Sequence, residues 1–135
     1  MSMSNMVKGR TVFLSGPMSG LSNYNVGAFA DAHAILLKMG AYKVFDPAVE
    51  YLTDTESQDG NKTHAYWLRK CIHELTEPMG NVGMLFGGKP ATVSKYSLLV
   101  SLPGWEDSEG ARTERTVAEA CGMKVADLAD VIGEE

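Results

Sequence analysis

Short apolar runs alternate with helix-like segments along this 135-residue chain. "TVFLSG" at 11–16, "YKVFDP" at 42–47 and "YSLLVSLPGW" at 96–105 have the length and the β-branched or aromatic content of buried strands. Between the first two, apolar residues recur at helical spacing over 25–39, and Gly40 follows as a C-terminal stop. Strands that alternate with helices in this way pair in parallel, so the pattern predicts an α/β fold.

The second half of the chain repeats this alternation. Helical patterns cover 63–75 and 110–121, Gly122 stands where the second of them should end, and 123–128 forms a last short extended segment. The predicted order is therefore β-α-β-α-β-α-β. It describes a single Rossmann-like three-layer sandwich over residues 1–135, with a mostly parallel sheet of four to five strands.

Three segments lie outside this pattern. Residues 1–9 are expected to be a flexible N-terminus, and residues 48–63 are polar and predict a loop. The glycine-rich segment 76–95 is too rich in glycine for a helix and too apolar for a plain linker. We expect a surface insertion there, with a flap over a site as the alternative.

The composition excludes several classes of function. A net charge of −5 argues against a binder of nucleic-acid polymers, which needs a basic face. The two cysteines, Cys71 and Cys121, have neither zinc-ligand spacing nor a disulfide-framework count, which favours a reduced cytoplasmic setting. No apolar stretch is long enough to cross a bilayer. Neither a Walker loop nor G-x-G-x-x-G occurs, so no dinucleotide cofactor is indicated. We predict no cofactor, and the cysteine spacing leads us to predict no metal.

Two glycine- and serine-containing loops follow predicted strands: "SGPMSG" after the first and "WEDSEGAR" after the strand at 96–105. In parallel sheets such loops meet at the carboxyl ends of the strands, where ligands bind. Glycine allows close backbone approach and serine hydroxyls add donors, which suits a phosphate or a sugar; simple tight turns are the alternative. The candidate ligand-binding residues of the two loops are Gly16, Pro17, Met18, Ser19, Ser108, Gly110 and Ala111.

Glu114 lies in the second turn of the helix that follows the second of these loops. The positive end of that helix is expected to keep its carboxylate ionised. An ionised glutamate beside an anion-binding loop can attack an electrophilic sugar carbon, as in double-displacement glycosidases. The alternative is a solvated glutamate on the helix surface, paired with Arg112 or Arg115.

The motifs "FLSGPMSG", "VFDPA" and "SEGARTE" followed by "ACG" together resemble the nucleoside 2-deoxyribosyltransferase superfamily, in particular its small branch frequent in phage and prophage genomes. The resemblance covers roughly residues 10–126. It implies that Glu114 is the nucleophile and that residues 16–19 help to hold phosphate and sugar. The S-x-G form at Ser108 is similar to 2′-deoxynucleoside 5′-monophosphate N-hydrolases, whereas nucleoside transferases have D-x-G.

The resemblance implies an enzyme that cleaves the N-glycosidic bond of a nucleoside 5′-monophosphate, with 2′-deoxy sugars preferred, through a covalent glutamyl-sugar intermediate. Base exchange on nucleosides and catalytically silent nucleotide binding are the alternatives. The expected partners are a small nucleotide or nucleoside and further copies of the chain, as a dimer or larger homo-oligomer.

Two positions depart from the family pattern: Phe13 stands where the family has a tyrosine, and Cys71 lies near the position of a family aspartate. Asp46, Tyr24 and His73 are the candidates for the acid that this aspartate would supply. Tyr24 and Trp105 are also candidates to stack on a nucleobase.

Overall fold

The computed structural model describes residues 4–18, 25–49, 64–77 and 95–133. Its strands are β1 (Thr11–Ser15), β2 (Lys43–Phe45), β3 (Leu98–Ser101) and β4 (Lys124–Asp127). Its helices are α1 (Ser4–Val7), α2 (Val26–Lys38), α3 (His64–Thr76), α4 (Glu109–Ala120) and α5 (Leu128–Ile132), with a 3₁₀ turn at Trp105–Asp107.

The four strands form one parallel sheet in the order β2-β1-β3-β4. Central strand β1 pairs with both neighbours, so that Val12 lies beside Val44 on one side and Leu98 on the other. The predicted α/β Rossmann-like fold is confirmed. The strand predicted at 96–105 is shorter than expected, because only Leu98–Ser101 pairs in the sheet before the chain turns at Pro103.

Helices cover both faces of the sheet, as the three-layer prediction requires. Alternation along β1 sends Val12 and Leu14 into the core shared with α1, α2 and α5. Phe13 points the other way, into a second core with α3 and α4 that includes Leu75 and Ala118. Sheet residues buried on both faces explain why the strands are continuous apolar runs.

Glycines end two of the helices as expected. Gly40 has φ 102° just after α2, and Gly122 has φ 81° just after α4. Both angles lie in the left-handed region that favours glycine, which confirms the two predicted C-terminal stops.

Of the three segments outside the predicted alternation, the N-terminal one can be compared with the structure. Where residues 1–9 were expected to be flexible, residues 4–7 form α1, and Val7 is fully buried among the residues of the first core. The Gly9 N–H also donates to the Gly40 carbonyl at 2.8 Å, so apolar packing and a backbone bond attach this segment. Residues 50–63 and 78–94 lie outside the described residues. Within the described ranges, no helix is both long and apolar enough to cross a membrane.

Candidate functional site

The sheet order creates a switch point between β1 and β3, because the connection from β1 leads to β2 on one side and β3 returns to the other. Ligands of such sheets bind beyond the carboxyl ends of the strands at this point. A cleft lies there, with a volume of about 390 Å³ including its open mouth. Its walls are formed by Gly16, Met18, Pro47, Trp67, Leu68, Cys71, Ser108, Gly110, Ala111 and Glu114.

Glu114 is the carboxylate of this cleft. It projects from the second turn of α4 and is buried, with 7% of its surface exposed. The Ser15 hydroxyl at the end of β1 donates to Glu114 Oε1 at 2.6 Å. The Cys71 side chain of α3 forms a second hydrogen bond with the carboxylate. Three elements that are distant in sequence therefore meet at one carboxyl group.

Burial raises the pKa of Glu114 from its ordinary value of 4.5 to about 7, and the hydrogen bonds of Ser15 and Cys71 only partly oppose this rise. The expectation that the helix terminus keeps Glu114 ionised is wrong. The field of a helix terminus contributes about 1 kcal/mol. The desolvation of a carboxylate with only neutral donors exceeds that contribution.

The alternative of a solvated, ion-paired glutamate is also wrong, because both nearby arginines bind elsewhere. Arg115 donates to Ser101 Oγ at 3.1 Å and to Asp127 Oδ1 at 2.7 Å. Arg112 donates to the Glu106 carbonyl at 2.7 Å. Glu114 instead faces the cleft beside neutral groups.

The loop before α4 supplies polar groups to the wall of the cleft. Ser108 is the N-cap of α4, and its hydroxyl oxygen accepts the Ala111 N–H at 3.2 Å. A serine that caps a helix through its oxygen keeps its O–H as a donor. Gly110 and Ala111 add the first turn of the helix to the same wall. The Ala111 N–H is bonded to Ser108, so the positive end of the helix and the Ser108 O–H are the features that favour an anion there.

Gly16 also lines the cleft, and this position needs a glycine for a reason that the sequence did not reveal. A Cβ atom at this position would lie 2.7 Å from the Leu102 Cβ, at the end of the neighbouring strand. Glycine is therefore required by the packing of two strand ends, in addition to the close approach of a ligand that we expected.

Nearly the whole chain, residues 10–127, matches the sequence model of one protein family. The chain belongs to DUF4406, a family described as a domain of unknown function. None of the curated proteins matches it. The matched range contains every residue that lines the cleft of this DUF4406 domain.

Six of the predicted site residues line the cleft of the DUF4406 domain, and several others do not. Pro17 is next to the cleft wall, where its carbonyl accepts from Asn25 Nδ2 at 3.0 Å. Trp105 stacks against Arg115, whose guanidinium carbon lies 4.3 Å from the ring centroid. The predicted residues Ser19 and Tyr24 lie outside the described residues.

Asp46 is buried at the end of β2, but both of its oxygens have structural partners. Oδ1 accepts the Ala48 N–H at 3.0 Å, and Oδ2 lies 3.2 Å from His33 Nδ1. These bonds hold the turn after β2 and place its neighbour Pro47, not Asp46 itself, on the cleft wall. His73 is exposed on α3 and is not a lining residue.

Sequence reasoning missed five residues of the site: Ser15, Pro47, Trp67, Leu68 and, as a partner of Glu114, Cys71. The pattern over 63–75 predicted a helix, yet it could not show that one face of this helix borders a cleft. Ser15 carried a local signal, because it lies on the same strand face as Phe13. Among the described residues of this DUF4406 domain, no three His, Cys, Asp or Glu side chains cluster as metal ligands.

Proposed function

We propose that this DUF4406 domain is an N-glycosidase of nucleoside 5′-monophosphates, with 2′-deoxynucleotides as its preferred substrates. The observation that carries the proposal is the buried carboxylate of Glu114 on the wall of a cleft at the switch point of the sheet. A buried carboxyl group without a cation is costly to the fold, and such groups cluster at functional sites. The resemblance to the nucleoside 2-deoxyribosyltransferase superfamily, and to its S-x-G N-hydrolases, supports the same activity.

The lining of the cleft includes both apolar and polar groups, which suit the base and the phosphate of a nucleotide. Met18, Pro47, Trp67 and Leu68 provide an apolar wall for a nucleobase, which binds through its faces. Ser108 and the first turn of α4 provide donors for a 5′-phosphate. A sugar between these groups would lie beside Glu114.

The proposed reaction is a double displacement. A Glu114 carboxylate oxygen attacks C1′, the bond from C1′ to the base nitrogen breaks, and its electron pair leaves with the base, which takes up a proton from water. A water molecule then attacks C1′ and breaks the glycosyl ester. Its OH remains on the sugar, its proton is released, and free carboxylate and deoxyribose 5-phosphate result.

Only ionised Glu114 can attack C1′. Because its pKa is about 7, the rate of base release should rise with pH through neutrality and level off above it. A surface glutamate with an ordinary pKa would give a flat rate over this range.

Chromatography of free bases after incubation with a panel of deoxynucleoside and ribonucleoside monophosphates tests the proposal. Glu114→Ala and Glu114→Gln should each reduce base release by at least about 10³-fold, because they remove the nucleophile. Glu119→Gln is the matched control, since Glu119 is an exposed glutamate at the far end of the same helix and should leave the rate unchanged. Absence of base release from every nucleotide at near-stoichiometric enzyme would contradict the proposal. Tight binding without turnover in calorimetry would instead make the domain a nucleotide-binding module.

Base exchange on nucleosides is the second candidate, and the charge around the start of α4 favours it. Glu106, Asp107 and Glu109 are exposed carboxylates in this region, and negative charge there opposes a phosphate dianion. Faster exchange on nucleosides than cleavage of nucleotides would favour this reaction. Ser108→Asp keeps a good N-cap and adds charge, so it should weaken nucleotide cleavage selectively if the substrate carries a phosphate.

We further propose a cytoplasmic homo-oligomer, a dimer or larger. Exposed apolar side chains at Ile35, Leu37, Tyr42 and Val49 support self-association, and the free cysteines Cys71 and Cys121 support a reducing compartment. Sedimentation velocity of the whole chain tests the first statement, since a monomer at micromolar concentration would contradict it. Cell fractionation tests the second.

A further inference from the structure

Ser15 brings a hydroxyl group from the sheet to Glu114. It is the last residue of β1, it is fully buried, and its hydroxyl lies 2.6 Å from Glu114 Oε1. Phe13, two residues earlier on the same face, has no hydroxyl and packs between the rings of Phe45 and Tyr96, with centroids 4.8 and 5.5 Å away. The hydroxyl that β1 donates to the proposed nucleophile therefore comes from Ser15 and not from the position of Phe13.

This contact is short and rigidly held. A distance of 2.6 Å lies at the short end of the range for O–H···O hydrogen bonds. Ser15 pairs with Ser101 in the centre of the sheet, and its carbonyl accepts the Leu102 N–H at 2.8 Å. The backbone that carries the donor is therefore fixed in the sheet, and the hydroxyl is presented to the carboxylate from a constant point.

The groups that face Glu114 from the other packed elements are neutral. Helix α3 contributes Cys71, and the loops at the cleft contribute Gly16, Ser108 and Gly110. On the neighbouring strand β3, the Ser101 hydroxyl oxygen accepts a hydrogen bond from Arg115. Within the described residues, no cation bonds to Glu114, so neutral donors alone oppose the effect of burial.

We propose that Ser15 is the positioning residue of Glu114, and that its hydroxyl holds the carboxylate against the cleft wall in the ionised form that attacks the sugar. This inference rests on the proposed function. Ser15 stabilises the charged state and is not itself transferred or deprotonated. Its loss should therefore change the pH at which Glu114 becomes active more than it changes substrate binding.

Ser15→Ala tests the proposal with two readouts. The first is the titration of Glu114, followed by NMR of protein labelled with ¹³C at glutamate Cδ and assigned by the signal lost in Glu114→Gln. The midpoint should rise by about one pH unit from that of the native protein. The second is the pH profile of base release, where kcat should fall about tenfold at pH 6 and little at pH 9, with KM nearly unchanged.

Ser101→Ala is the matched control. Ser101 is the register partner of Ser15, equally buried, and it bonds to Arg115 instead of Glu114. It should leave the Glu114 midpoint unchanged. If Ser15→Ala does not fold, Ser15→Cys keeps a weaker donor and should give a smaller rise.

The two readouts separate the inference from the proposed function. An unchanged Glu114 midpoint in Ser15→Ala, or in Ser15→Cys if only that variant folds, would overturn the role of Ser15. An equal rise in Ser101→Ala would overturn it as well, since the effect would then be structural. If no nucleotide is cleaved but the midpoint rises only in the Ser15 variants, the proposed reaction fails and the contact that sets the charge of Glu114 stands.

Discussion

Two glutamates on neighbouring helices lie on the same side of the sheet, and their pKa values are shifted in opposite directions. Glu74 of α3 lies near the amino end of β3, where it accepts from Lys95 Nζ at 2.6 Å and from the Tyr96 hydroxyl. Burial opposes its ionisation, but the bonds from Lys95 and Tyr96 and the nearby positive charges outweigh burial and lower its pKa. Glu114, at the carboxyl end of the sheet, has only neutral donors, and burial raises its pKa.

The difference in partners separates a carboxylate that stabilises the fold, Glu74, from one that is available to a ligand, Glu114. Glu74 and Lys95 form an ion pair that joins α3 to the start of β3, next to a backbone bond of 3.0 Å from the Lys95 N–H to the Glu77 carbonyl. Lys95 and Tyr96 therefore compensate the charge of the Glu74 carboxylate. Glu114 faces a cleft with its charge uncompensated, which destabilises the fold at neutral pH and makes the group available to a ligand.

Removal of the charge of Glu114 should give the largest change in stability. Since its folded pKa is raised from 4.5 to about 7, the native state binds the extra proton, and stability falls as pH rises through that range. The shift corresponds to about 3 kcal/mol. Glu114→Gln should therefore be more stable than the native protein by up to about 3 kcal/mol at pH 8.5, with little difference at pH 4.

Urea unfolding at the two pH values measures this difference. Glu119→Gln, an exposed glutamate at the other end of α4, is the control and should change stability by less than about 0.5 kcal/mol at both. Equal stability of Glu114→Gln and the native protein at pH 8.5 would show that the carboxylate is not desolvated, and the comparison with Glu74 would fail.

Removal of the charge of Glu74 should lower the free energy of unfolding, and by less than removal of the charge of Glu114 raises it. The side chains of Glu74 and Lys95 are 25% and 32% exposed, so solvent screens the pair and Glu74→Gln should cost about 1 kcal/mol at pH 7. Because the folded pKa of Glu74 is lowered, this stability is present above its unfolded pKa of 4.5 and is lost as pH falls through the folded value.

Thermal unfolding between pH 3 and 7 checks both the sign and the pH window for Glu74→Gln. Glu77→Gln serves as the matched control, since Glu77 lies 3.4 Å from the same Lys95 and is more exposed. Its effect should be near zero. A stabilised Glu74→Gln would mean that desolvation prevails at both glutamates.

Replacement of the Cys71 thiol by a stronger neutral donor should give the smallest effect of the three, a small shift in the pKa of Glu114. A hydroxyl donates a better hydrogen bond than a thiol, so Cys71→Ser should lower the titration midpoint of Glu114 by a few tenths of a pH unit. Cys121→Ser, at the exposed cysteine after α4, should leave it unchanged. A higher midpoint in Cys71→Ser would show that this bond does not act on the carboxylate.

Much of the fold was predictable because its signals are local. The apolar runs that became β1 to β3 and the stops at Gly40 and Gly122 depend on neighbours a few residues away. The strand lengths were less certain, since pairing ends where a partner strand ends, as at Leu98–Ser101. The helix α1 was missed because Val7 is buried only by elements that come later in the chain.

The residues of the candidate site also divide into those with a local sequence pattern and those that only the fold brings together. Glu114, Ser108 and Gly110 were found because a short loop and one helical turn carry the whole pattern. Asp46 was chosen for its place after a strand, and only the structure shows that His33 and the Ala48 N–H occupy its oxygens. Ser15 was missed as the partner of Glu114, because the alternation along β1 indicates only the sheet face of Ser15, whereas the carboxylate on that face comes from a helix 99 positions later in the chain.

The parallel α/β order and the position of one carboxylate after a Ser-x-Gly loop follow from residues within a turn or a strand of each other, so they can be predicted from the amino-acid order. The burial of this carboxylate, its hydrogen bond to Ser15 across 99 positions of the chain and its raised pKa of about 7 exist only in the folded protein. Desolvation depends on every atom that excludes water from a group, and those atoms come from three elements that only folding brings together.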